Sequence, residues 1–214
     1  MIADSGRIAL AAISLLASTP ASAQQTGGRI VMQLGHAING PSPIASEREH
    51  ATTRYEPDSL WLASGQAMLT PRWGVAAEWR KPDDVTFSGG RIVNSFSQTE
   101  REHAVFTLAT FRALRGRWGA IDVVGGPGFV RQRLLLTVES SFPTTGTTTH
   151  TTESSHTLGA VTVGADAVIQ VVPHVGVGTL IRFTGTNRSF ELVADRGTAF
   201  IRTYSLGLFV RAWL

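Results

Sequence analysis

The sequence predicts an all-β fold: an eight-stranded antiparallel up-and-down transmembrane β-barrel. Three observations predict it. Segments of about ten residues, the length of a tilted membrane strand, alternate apolar with small or polar side chains. The links between them are by turns long and short. No apolar run approaches the roughly 18 residues of a membrane helix.

The clearest alternation lies in Leu158–Thr184. Val161, Val163, Ala165, Ala167, Ile169 and Val171 share one parity, and Thr162, Gly164, Asp166 and Gln170 take the other. After Pro173-His174 the pattern resumes, with Val175, Val177, Thr179, Ile181 and Phe183 set against Gly176, Gly178, Leu180, Arg182 and Thr184. Alternate side chains of a strand point to opposite faces, so each segment has one apolar face and the Pro-containing link makes a hairpin. A soluble sandwich turns its apolar face inward. Here the polar face is rich in glycine and the unit recurs along the chain, which suggests a barrel turned inside out.

Composition agrees. Apolar residues make up 43% of the 214 residues and charged residues only 16%, against about 25% in soluble domains. The length suits one domain. Cysteine is absent, which excludes disulfides and thiolate metal sites. The formal charge is +3, but the arginines are scattered singly and Lys81 is the only lysine, so no basic run points to nucleic acid. At the N-terminus, Arg7 precedes the apolar stretch Ile8–Leu16, and Ala21-Ser22-Ala23 forms an A-x-A cleavage site. A secretory signal peptide over 1–23 and a barrel over 24–214 are expected.

The strands follow in order. Strand one, Arg29–His36, puts Ile30, Met32 and Leu34 on one face. Strand two, Leu60–Leu69, puts Trp61, Ala63, Ala67 and Leu69 outside and Ser64 and Gln66 inside. Strand three, Trp73–Lys81, sets Trp73, Val75, Ala77 and Trp79 against Gly74, Ala76, Glu78 and Arg80. Strand four, near Glu102–Arg112, has no clear parity, because Val105, Phe106 and Leu108 do not alternate. Strand five starts at Trp118. Its Gly125-Gly126-Pro127-Gly128 run predicts a bulge, beyond which Leu134, Leu136 and Val138 switch parity. Strands six and seven are the hairpin above, and strand eight is Ala199–Leu214. Polar loops are expected after His36 and over Pro82–Glu100, Ser140–Ser155 and Gly185–Gly197. These long links alternate with short ones, so all four lie at one end. That asymmetry belongs to outer-membrane barrels.

In the last strand Leu214, Ala212, Val210, Leu208, Leu206 and Tyr204 share a parity. This resembles the C-terminal strand of outer-membrane barrels, and with the signal peptide and loop asymmetry the mature chain resembles the OmpA/OmpX-like eight-stranded barrel family. The usual ending in Phe or Trp is replaced by Trp213-Leu214. The resemblance implies a monomer in the outer membrane of a Gram-negative-type bacterium. It implies lipopolysaccharide as surrounding lipid, delivery to the barrel-assembly machinery through the last strand, and a surface ligand at the loops. Its members anchor, adhere or scaffold the envelope. No cofactor and no metal are expected.

Two sets of residues carry the site expectations. Glu78, Arg80, Asp122, Asp166, Arg182 and Arg211 have inward parity and are expected to form a lumenal ion-pair network, because an unpaired buried ion costs several kcal/mol. Trp61, Phe183, Phe200 and Tyr204 are expected in the outer aromatic belt and Trp73 in the inner one. Phe209 and Trp213 have the parity to cap the short-turn end. The function expected is structural or surface-interacting, without catalysis. One alternative is a small outer-membrane pore through the same lumen. The other is a lipid A-modifying enzyme. Deacylases of that class resemble this architecture but carry a His-x-Ser pair, which none of the six histidines here forms. Glu153-Ser154-Ser155-His156 nevertheless groups an acid, hydroxyls and an imidazole. The Thr-rich segment Ser140–Thr152 reads as a surface loop or as the tip of a protruding hairpin that offers its edges to other strands.

Overall fold

The computed structural model describes residues 30–40, 59–91, 94–116, 118–142, 146–192 and 195–214. The cleavage site at Ala21 and Ala23 lies outside the described residues. The described residues form nine strands: β1 (Ile30–Asn39), β2 (Ser59–Met68), β3 (Trp73–Pro82), β4 (Val85–Arg91), β5 (Asn94–Arg115), β6 (Gly119–Phe142), β7 (Gly146–Val172), β8 (Val175–Leu192) and β9 (Asp195–Trp213). They pair antiparallel in the order β3-β2-β1-β9-β8-β7-β6-β5-β4, and a further pairing of β3 with β5 closes the ring. β3 and β4 lie end to end along the same side of β5, against Ala104–Phe111 and Asn94–Glu100 respectively. They form one wall strand interrupted at Asp83-Asp84, so the wall has the eight strands the alternation predicts. β1 joins β9 from Val31–Trp213 to Asn39–Ser205, leaving no open edge in the closed part of the wall.

The faces sort by parity. In β1 and β3 burial alternates strictly, with Ile30, Met32, Leu34 and Ile38 of β1 and Trp73, Val75 and Trp79 of β3 on the exposed side. Ile30, Leu34, Trp73, Val163, Ile169, Leu208 and Val210 are among the exposed large apolar residues, while Glu78, Asp122, Arg182 and Arg211 are almost fully buried. At the short-turn end the link Pro173-His174 is tight, with His174 in the left-handed region at φ 68°. Phe209 lies buried beside Val168, Leu180 and Leu62, with Trp213 packed against that cluster.

Three expectations need correction. First, three of the segments read as polar loops, Pro82–Glu100, Ser140–Ser155 and Gly185–Gly197, are mostly strand among the described residues. β5, β6 and β7 have 22, 24 and 27 residues, whereas about 10 tilted residues cross a bilayer. Their outer halves pair over Asn94–Glu102 and Gln132–Ser140 and over Leu134–Phe142 and Gly146–Ser154. Backbone pairing and β-branched threonines favour strand there over loop. Second, strand four does alternate: Glu102, Ala104, Phe106, Leu108 and Thr110 point in. Third, the Gly-Pro run does not switch the faces of β6. Its pairing with β7 is continuous from Gly119–Ile169 to Phe142–Gly146, and Asp122, Val124, Val130, Gln132 and Leu134 are all buried on one side. The solvent changes instead. Beyond the lipid the outer face meets water, so the apolar residues move to the inner face and Arg131 and Arg133 take the outer one. The register shift in the β5–β6 ladder falls between Arg112 and Leu114.

Above Ala160–Thr186, β7 and β8 part. Among the described residues a four-stranded sheet (β4 to β7) and a separate β8–β9 hairpin then continue outward.

A depth-graded charge scan checks the exterior. Arg in place of Val163, mid-wall, should cost about 2–4 kcal/mol, and Arg in place of Val171, beside the turn, about 0–1 kcal/mol. Urea titrations of the barrel refolded in lipid vesicles would measure both, and equal costs would contradict this placement of the lipid.

A lumenal chain of ion pairs as candidate functional site

The six inward ionisable residues come from five different strands, and the register brings them together inside the wall. Glu78 and Arg80 lie two apart on β3, so both side chains enter the lumen, and Arg80 Nη2 lies 2.6 Å from Glu78 Oε1. Glu78 Oε2 also accepts from Arg182 Nη2 of β8 at 2.9 Å. Arg182 Nη1 reaches Asp166 Oδ1 of β7 at 2.5 Å. Asp166 Oδ2 accepts from Arg211 Nη2 of β9 at 3.0 Å, and Arg211 Nη1 contacts Asp122 Oδ2 of β6 at 2.6 Å. The signs alternate along this line, and each carboxylate bridges two guanidinium groups.

A seventh member ends the line. Arg112 of β5 donates from Nε to Asp122 Oδ1 at 2.9 Å, with 13% of its side chain exposed. Sequence reasoning missed it because strand four showed no parity, although Thr110, two residues before, is fully buried. Arg112 gives the line one more guanidinium than carboxylates. Neutral groups complete the shell. Gln33 Oε1 accepts from Arg211 Nη2 at 2.9 Å. The hydroxyls of Thr184 and Thr162 accept from Arg80 at 2.7 and 3.0 Å. The Arg80 guanidinium sits 4.3 Å from the Phe106 ring centre. Backbone space is reserved for this packing: a Cβ on Gly164 would strike the Ile181 carbonyl and come within 2.8 Å of Arg182 Cδ.

The exterior is the opposite of this interior. Trp61, Phe183 and Tyr204 are exposed toward the long-link end and Trp73 at the short-turn end; the Phe200 side chain lies outside the described residues. Phe183 and Tyr204 are register partners across β8 and β9, Trp73 packs on Phe111 at 4.7 Å, and Trp61 meets His36 edge-on at 4.9 Å. Charged groups pair inside a closed wall whose outer face is an apolar band between aromatic rings. This is the architecture of a transmembrane β-barrel.

The barrel is similar in the solved structures to Ail, the attachment invasion locus protein of Yersinia pestis, at 13% identity and a TM-score of 0.42, covering 87% of this chain and 99% of that one. It is similar to Neisserial surface protein A at 12% identity and a TM-score of 0.46, covering 88% and 98%. With the outer membrane protein OprG from Pseudomonas aeruginosa the values are 13%, 0.43, 88% and 97%. No protein-family model and no curated protein sequence matches the chain.

The acid, hydroxyl and imidazole cluster on β7 does not converge. Glu153 and Ser155 are exposed on the outer face and Ser154 and His156 turn inward. Glu153 is bound by Arg133 Nε at 2.5 Å, and that hydrogen bond holds its carboxyl below the ordinary carboxylate range. Among the described residues no group of three or more His, Asp or Glu side chains has metal-binding geometry.

The alternation predicts unequal costs along the line. Asp166→Asn strips a partner from both Arg182 and Arg211 and should destabilise the barrel by about 3–5 kcal/mol. Arg112→Gln, at the partly exposed end, removes one partner from a single carboxylate and should cost less, about 1–2 kcal/mol. Exchanging Asp166→Arg with Arg182→Asp should not restore the loss, since the new arginine would face Arg211. Urea midpoints in detergent micelles give all three values, and an Arg112→Gln cost equal to that of Asp166→Asn would contradict the linear arrangement.

Proposed function

We propose that this outer-membrane barrel serves a structural and surface-interaction role in the cell envelope, without catalysis, through the sheet that stands above its lipid-facing band. The observation that carries the reading is the outer half of β7. From Gly146 to Gly159 it pairs with β6 on one side, and among the described residues no strand takes its other side. An unpaired strand edge of that length is a template for strand addition, in which backbone hydrogen bonds supply affinity. Its threonines Thr147, Thr148, Thr149, Thr151 and Thr152 are exposed, so the edge is polar and remains soluble while unoccupied. The ion-pair line supports a closed lumen, because its side chains lie where a conducting path would run, and a selective pore would carry a ring of one charge sign.

Trimming the β6–β7 hairpin beyond Leu134 and Ser154 tests this reading. Cells displaying the trimmed barrel should keep its heat-modifiable migration in the outer-membrane fraction but lose adherence to immobilised host matrix. Unchanged adherence would argue against the surface role. Recovery of the intact chain from the soluble periplasm without detergent would refute the membrane barrel. In planar bilayers the refolded wild type should give no steady ion-selective conductance. Discrete channels that change with Arg182→Ala would make it a pore.

A further inference from the structure

The outer face changes character one row above the aromatic residues Trp79 and Phe129. Val105 of β5 stands opposite both of these. Two residues closer to the long-link end, His103 is opposite Arg131, and Arg131 is opposite Thr157. One step beyond the Arg80–Ala104 pair, Lys81 falls in the same row, where it also faces Trp61 of β2. Lys81, His103 and Arg131 are all exposed. The His103 ring stacks on Trp79 with centres 6.3 Å apart. No ion pair reaches Lys81 or Arg131 among the described residues.

The next row is built differently. Arg101 and Arg133 are opposite each other, and each has its own acid: Asp84 at 2.8 Å from Arg101 and Glu153 at 2.5 Å from Arg133. Asp83, two residues after Lys81 in the break between β3 and β4, accepts from the Ser59 hydroxyl. The two cations of this row are therefore neutralised, and Lys81 and Arg131 in the row at the lipid boundary are not. Headgroups lie at that boundary, and interfacial Trp and Phe rings mark its depth.

We propose that Lys81 and Arg131, with His103 between them, form a binding site for the phosphate headgroup of an outer-leaflet lipid, its acyl chains lying down the face of Trp79, Val105 and Phe129. Unpaired cations in the poorly screened interface attract phosphate more strongly than the same groups in open water. The guanidinium of Arg131 suits a phosphate bidentately, and the Lys81 ammonium adds a point charge. This site rests on the membrane placement proposed above.

Native mass spectrometry of the full chain refolded into phosphatidylcholine nanodiscs doped with phosphatidic acid tests it. Wild type should retain phosphatidic acid in preference to phosphatidylcholine. Lys81→Gln with Arg131→Gln should lower that preference roughly tenfold. Arg101→Gln with Arg133→Gln, which removes cations already neutralised, should change it less than about twofold. Equal retention of the two lipids by wild type, or an equal loss in the second variant, would overturn the site. Displacement of the lipid by millimolar inorganic phosphate would also overturn it, because the site would then be one for free phosphate. A chain that inserts and still ignores headgroup charge removes this site alone, whereas a chain that cannot insert removes the membrane placement with it.

Discussion

Hydrocarbon offers no hydrogen bonds, and the rest of this structure depends on that constraint. Every N–H and C=O in the lipid-facing wall must find a partner in the wall itself, which only closure achieves for strands. The β1–β9 and β3–β5 ladders are where the ring meets that demand. Once the wall is closed, alternation leaves two environments, and the chemistry of each side chain follows from which one it enters. Ile169 and Leu208 are exposed because their surroundings are lipid. Asp122 and Arg211 are buried because the other surroundings are a narrow interior crossed from several strands.

That interior settles its charges by sharing. A buried ion with one partner is costly, and a carboxylate set between two guanidinium groups fills more of its acceptor sites. Glu78, Asp166 and Asp122 each do this. The arrangement ties β3, β5, β6, β7, β8 and β9 across the lumen, so side chains reinforce a closure made by backbone pairing. It also fixes the register, since a one-residue slip of any of these strands would carry its charge to the lipid face.

Much of this was legible in the sequence because the lipid-facing part has a period of two and a single rule. Val161 to Val171 gave faces, hairpin and depth together. The inward charges followed from the same parity, since Glu78 and Arg80, or Asp166 and Arg182, stand out against apolar neighbours. The rule failed where its premise did. On β6, Leu134 is apolar and points inward because the outer surroundings have become water. On β5, Phe106 and Leu108 are apolar and point inward within the wall, packing with Ala76, Val124 and Val130. Arg112 was lost with them, because a strand without readable parity hides its charges too. Ser- and Thr-rich stretches such as Ser140–Ser155 read as loops by composition, and only a neighbouring strand of matching length makes them sheet.

The continuity of β6 with β7 over their whole shared length limits how such a protein can vary. No bulge decouples the part in lipid from the part above it along that ladder, so the two inherit one alternation. Adding a residue to one arm alone would invert every side chain on the tip side of the insertion, sending Thr151 and Glu153 to the inner face. Lengthening in steps of two on both arms preserves every partner. Drift in the height of this projection among descendants of the chain should therefore be quantised, with hairpins growing and shrinking by matched dipeptides while the wall below keeps its length.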